Sequence, residues 1–94
     1  MRAFLWCNGS TPPSSVIDLV SSAGIPVFGV DGGADRAAEC GIVIDEVLGD
    51  LDSVDASSWG GRVVELTDQS TSDLAKSLVL LIGRGFTDID VVGV

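Results

Sequence analysis

Short apolar blocks alternate with amphipathic stretches along the chain. Residues 2–7 form the first block and read as a strand, followed by an Asn8-Gly9-Ser10-Thr11-Pro12-Pro13 turn. Residues 14–22 carry Val16, Ile17, Leu19 and Val20 at helical spacing, which predicts a helix. Gly24 suits the position just past its end, and Pro26 stops continuation. Val27-Phe28-Gly29-Val30 reads as a short buried strand. Residues 34–39 read as a second short helix closed by Gly41, and Val47-Leu48-Gly49 as a third strand. Residues 54–61 read as a loop with room for one helical turn, and residues 63–66 as a fourth strand. The strongest helix is expected over 73–84, with Leu74, Leu78, Leu81 and Ile82 on one stripe. Residues 89–92 complete the pattern as a fifth strand.

Short apolar strands alternating with helices predict an α/β fold. The arrangement is three-layered and Rossmann-like, a mostly parallel sheet with helices on both faces. In open sheets of this kind, ligands sit outside the carboxyl ends of the strands. The turns after Cys7, Val30, Gly49, Leu66 and Val94 are therefore where chemistry is expected. Val91-Val92-Gly93-Val94 stops where a strand would hand over to its ligand loop. The sheet is accordingly expected to be incomplete and the chain to be half of a larger domain.

Composition narrows the partners. The 94 residues hold fourteen acidic and five basic side chains, a formal net charge of −9. That excludes a basic stripe for duplex nucleic acid and disfavours an anionic membrane. A phosphate ligand would be repelled as well unless a divalent cation came with it. Histidine is absent, which removes Ser-His-Asp triads and most zinc sites from this segment. Cys7 and Cys40 form no CxxC pair and read as buried thiols of a reducing compartment. No apolar run is long enough to span a bilayer, and Ala3-Phe4-Leu5-Trp6 is too short for a signal peptide, so a cytoplasmic location is expected.

Three of the expected ligand turns are acidic: Asp31-Gly32-Gly33-Ala34, Gly49-Asp50-Leu51-Asp52-Ser53, and Thr67-Asp68-Gln69-Ser70-Thr71-Ser72-Asp73 followed by Lys76. In an extended segment Asp50 and Asp52 point to one side, and two adjacent carboxylates repel unless a cation lies between them. Hard oxygen ligands with open positions suit Mg²⁺. Each segment has an ordinary explanation too. Asp50 or Asp52 could cap a helix. Gly32 and Gly33 could relieve a turn, or could let a phosphate approach the backbone. Ser70 and Asp73 fit a capping box, and Asp73 with Lys76 fits a surface ion pair. The combination favours chemistry: three acidic loops follow three successive strands, and Lys76 is the only lysine of the chain. There is no Walker lysine motif and no GxGxxG, so phosphates must be held another way.

In order and spacing, Asp31-Gly32-Gly33-Ala34, Gly41-Ile42, Gly49-Asp50-Leu51-Asp52-Ser53, Asp68-Gln69 and Ser72-Asp73-Leu74-x-Lys76 resemble thiamine pyrophosphokinase, and the Asn8-Gly9 turn fits as well. The resemblance covers nearly the whole chain, with Ser72 where threonine is usual and Asp35 where asparagine is common. It implies Mg²⁺-dependent transfer of pyrophosphate from ATP to thiamine, giving thiamine diphosphate and AMP. It further implies a magnesium and catalytic cluster of Asp31, Asp50, Asp52 and Asp73 with Lys76, and a nucleotide site of Asn8, Gly32, Gln69, Ser72 and Lys76. A homodimer is expected from the same resemblance. The 94 residues would be the N-terminal portion of the catalytic domain, without the family's C-terminal β-sandwich domain, and inactive by themselves. Two other readings are open. One is a related diphosphokinase acting on another hydroxymethyl acceptor, such as a pterin. The other is a non-catalytic nucleotide- or metal-binding half-domain.

Overall fold

The computed structural model describes residues 1–30, 32–49, 63–65 and 72–93, with Val63, Glu65 and Asp73 described by their backbone alone. In chain order the elements are β1 (Arg2–Trp6), α1 (Ser14–Ser22), β2 (Val27–Val30), α2 (Gly33–Glu39), β3 (Glu46–Gly49), β4 (Val63–Glu65), α3 (Asp73–Gly83) and β5 (Asp88–Val92). The five strands form one sheet in the order β4-β3-β2-β1-β5. All four pairings are parallel. The expected α/β architecture is therefore present, with a strand order that periodicity does not reveal.

The local causes are visible in the sequence. β1 is apolar at consecutive positions because both faces of the sheet are covered: Ala3, Phe4, Leu5 and Trp6 are all buried. Phe4 and Trp6 pack with Val20, Ala34, Ala37, Ile44 and Val47 on the face under α1 and α2. Ala3 and Leu5 face the other way, with Phe28, Val30, Leu48 and Leu81 under α3. Alternate residues of one strand thus feed two cores. Leu81 is fully buried there, a burial worth about 1.5–3 kcal/mol. Phe28 and Phe86 meet edge-on, 5.5 Å between ring centres, and hold the end of α3 against the sheet.

Helix termination follows the predicted punctuation. Gly24 and Gly41 both follow helix ends with positive φ, 67° and 80°, where other residues are strained. Two residues of the predicted apolar stripes face solvent: Leu19 of α1 is 60% exposed and Ile82 of α3 is 63% exposed. Each lies on the flank of its helix, where a helical stripe is wider than the strip of sheet beneath it. Leu19 borders a groove of about 520 Å³ floored by Phe4 and Val92 and shared with Arg2 and Asp90. The loop expected over 54–61 lies outside the described residues.

The chain direction sets the chemistry of the sheet's ends. From β1 the chain steps to β2 and β3 on one side; β5 lies on the other side of β1. The switch point of the topology is thus the carboxyl end of β1, between β2 and β5, where ligands bind in open α/β sheets. Among the described residues, no helix is long and apolar enough to cross a membrane.

Candidate functional site

Glycines pack α2 tightly onto the carboxyl end of β1. A Cβ on Gly33 would stand 2.2 Å from the Trp6 carbonyl oxygen, and one on Gly29 would stand 2.5 Å from Ala34. A Cβ on Gly32 would stand 2.7 Å from Asn8 Nδ2. These three glycines therefore make room for protein: the end of β1, the first turn of α2 and the Asn8 carboxamide. On the other side of β1, Gly93 has φ 75° and its Cβ position lies 2.8 Å from the Cys7 carbonyl oxygen. The backbone after β1 is thus gripped from both neighbouring strands. The Cys7 amide also donates to the Val92 carbonyl, 2.8 Å. Cys7 is half-buried here, and desolvation raises its thiol pKa above the ordinary value of 9.0. It stays protonated at neutral pH, which argues against a nucleophilic role.

The Asn8 carboxamide is held from one further direction. Arg36, on α2, donates from Nε to Asn8 Oδ1 at 3.0 Å. Sequence reasoning missed Arg36. Its only signal was spacing: it follows Gly33 by three residues, and so shares a helix face with it.

At the start of α3 the helix is capped by Ser72, whose side-chain oxygen accepts from the Ala75 amide at 3.2 Å. The capping box that Ser70 and Asp73 fit in sequence involves Ser70, which lies outside the described residues. Capping uses the acceptor side of the Ser72 hydroxyl and leaves its proton available to donate. Lys76 is half-buried on the next turn, and its amide donates to the Ser72 carbonyl at 3.0 Å. The Arg84–Glu46 ion pair ties the other end of α3 to the first residue of β3. Since α3 runs roughly 16 Å at 1.5 Å per residue, Ser72 and Lys76 stand toward the carboxyl edge.

The carboxyl edge therefore gathers Asn8, Gly32 and, at the start of α3, Ser72 and Lys76. Asp31, Asp50, Asp52 and Gln69 lie outside the described residues, and Asp73 is described by its backbone, at the first position of α3. Among the described residues, no group of three or more His, Cys, Asp and Glu side chains could hold a metal ion. A separate pocket of about 340 Å³ opens at the opposite edge, lined by Val27, Ile42, Val43 and Asp45 among others. Its lining has no basic side chain, and Asp45 Oδ2 already accepts from the Val27 amide at 2.8 Å. It is poorly suited to a phosphate.

No protein-family model and no curated protein matches the sequence. Solved structures do. A probable thiamine pyrophosphokinase from Staphylococcus saprophyticus subsp. saprophyticus aligns at 28% identity and TM-score 0.70, over 97% of this chain and 48% of its own. Thiamin pyrophosphokinase from Geobacillus thermodenitrificans aligns at 18% identity and TM-score 0.74, over 97% and 46%. Thiamine pyrophosphokinase from Bacillus subtilis aligns at 20% and 0.73, over 99% and 47%. At 18% and 20% identity the latter two bear on the fold alone. The chain spans about half the length of the structures it matches. In fold as in the order of its motifs, this chain resembles the thiamine pyrophosphokinases.

Proposed function

We propose that this chain supplies the nucleotide-handling part of a magnesium-dependent diphosphotransferase that moves pyrophosphate from ATP to thiamine, giving thiamine diphosphate and AMP. The observation that carries this reading is the similarity to a probable thiamine pyrophosphokinase at 28% identity over 97% of the chain. The acidic motifs that follow β2 and β3 in sequence support it.

In such a transfer the acceptor hydroxyl oxygen attacks the β-phosphorus of ATP. The bond from that phosphorus to the oxygen bridging the α-phosphorus breaks, and AMP leaves with the bridging oxygen. The hydroxyl proton passes to a base, and an aspartate of the motifs has the chemistry to accept it. Catalysis of this kind is mostly positioning and charge neutralisation. Asp31, Asp50, Asp52 and Asp73 are the residues we assign to hold magnesium, an all-carboxylate donor set that suits a hard cation. When bound, the ion neutralises the pyrophosphate and orients it. Lys76 adds a fixed positive charge, and the Ser72 hydroxyl is free to donate to a phosphoryl oxygen. Asn8, Gly32 and Gln69 complete the proposed nucleotide site. A second copy of the chain as partner, and a cytoplasmic setting, go with the same reading.

Calorimetry with a non-hydrolysable ATP analogue tests it. Binding is expected in Mg²⁺ and is expected to disappear in excess chelator; equal binding in both would sink the proposal. Asp52→Asn is expected to weaken the Mg²⁺-dependent binding by about tenfold or more, equivalent to about 1.4 kcal/mol or more. Asp55→Asn is expected to leave it near the parent value. Equal effects of the two substitutions would remove the metal role from Asp52.

A further inference from the structure

Arg36 differs from the other described arginines. Arg2 meets Asp90 at 3.2 Å, and Arg84 meets Glu46. Arg36 instead donates to the neutral carboxamide of Asn8, 3.0 Å away. Among the described residues, its positive charge is not neutralised by a carboxylate. This matters in a chain of net charge −9, where an approaching anion is otherwise repelled.

The contact also fixes the orientation of both groups. A guanidinium only donates, so the face of Asn8 turned toward Arg36 must be its oxygen. The amide NH₂ then lies on the opposite side, against Gly32, where a Cβ would stand 2.7 Å from it and push the carboxamide out of this position. Using Nε for Asn8 leaves the two terminal nitrogens of Arg36 as a planar fork, the geometry that matches phosphoryl oxygens. The location agrees. Asn8 belongs to the turn leaving β1 at the switch point of the sheet, and Gly93 closes the far side of that turn.

We propose that Arg36, oriented by Asn8, is a binding residue for the polyphosphate chain of a nucleotide, with Asn8 as its positioning residue. This rests on the nucleotide reading given above and adds a residue that the acidic motifs do not include. Asn8 sets the plane of the guanidinium while leaving its charge available. An aspartate at position 8 would keep the shape and the hydrogen bond but cancel that charge.

The decisive variant is therefore Asn8→Asp, compared with Arg36→Gln, Arg36→Lys and the distant control Arg84→Gln. Calorimetry of the 94-residue protein with Mg²⁺ and ATP, inorganic pyrophosphate or adenosine is the readout, with circular dichroism confirming the fold of each variant. Asn8→Asp, Arg36→Gln and Arg36→Lys are expected to lose about tenfold in affinity for ATP and pyrophosphate. Adenosine affinity should not change, and Arg84→Gln should match the parent. In the parent protein, the Arg36 Nε–H resonance is expected to move as pyrophosphate is added. Parent-like pyrophosphate affinity in Arg36→Gln, or an Arg36 resonance indifferent to pyrophosphate, would overturn the proposal. If the parent binds pyrophosphate through Arg36 but fails to bind ATP, the donor pair stands and the nucleotide reading falls.

Discussion

At the amino edge of the sheet, charges are paired and polar groups are spent. Arg2 meets Asp90, Arg84 meets Glu46, Asp45 accepts from the Val27 amide, and the chain's first amino group reaches the Thr87 hydroxyl. At the carboxyl edge the described residues behave differently. Arg36 meets an amide, Ser72 caps a helix with its hydroxyl proton still to give, and glycines at 29, 32 and 33 draw α2 against β1 and β2. One end of the sheet is closed by its own contacts. At the other, glycines fix the packing of α2 and, among the described residues, Arg36 keeps a charge that no carboxylate cancels, which suits a preorganised binding edge. Both ends belong to the same five strands, so the difference comes from the residues placed at each end.

The sharpest way to break this comparison is through the glycines. Gly33→Ala forces a methyl group into the Trp6 carbonyl, where the Cβ position is 2.2 Å from the oxygen. Overpacking against backbone typically costs about 1–3 kcal/mol, or a fall in Tm of several degrees for a domain of this size. Gly83→Ala, in the last turn of α3, meets nothing within 4 Å. It is expected to raise stability, by up to about 1 kcal/mol, through helix propensity. Urea denaturation of the two variants measures both signs. Equal and small effects would mean that the tight seam at the end of β1 is not real.

A smaller effect is expected at the amino edge. Arg84→Ala removes an ion pair whose members are 36% and 34% exposed. Such pairs are worth about 0–1 kcal/mol after solvent screening. Urea denaturation should therefore change by no more than that, and less at high salt. Loss of several kcal/mol would show that the pair anchors α3, and the two edges would then differ less than described.

Much of the frame was legible in the sequence because it rests on local signals. The helix over 14–22 and the strand over 27–30 match α1 and β2 at both ends, since glycine and proline mark their borders. Helix faces were read less well. Periodicity groups Leu19 with Val20 and Ile82 with Leu81, but only contact with the sheet decides which of them is covered. The acidic motifs follow β2, β3 and β4 in sequence, and the rule of strand direction is what assigns them to the carboxyl edge. The glycines after Asp31 were open to a turn or a phosphate role. The structure gives Gly33 a packing role against Trp6, which pairs residues 27 positions apart and leaves no sequence signature. Arg36 was passed over for the same reason, because its partner Asn8 lies 28 residues away.

The central claim is that nucleotide is handled at the carboxyl edge and not at the amino edge. The direct measurement is a titration of the isotopically labelled chain with MgATP, followed by amide chemical shifts. Shifts are expected in residues 7–10, 32–36 and 72–76, while residues 24–27, 42–46 and 84–88 stay in place. Shifts confined to the amino-edge segments, or an absence of shifts anywhere at saturating MgATP, would contradict the account.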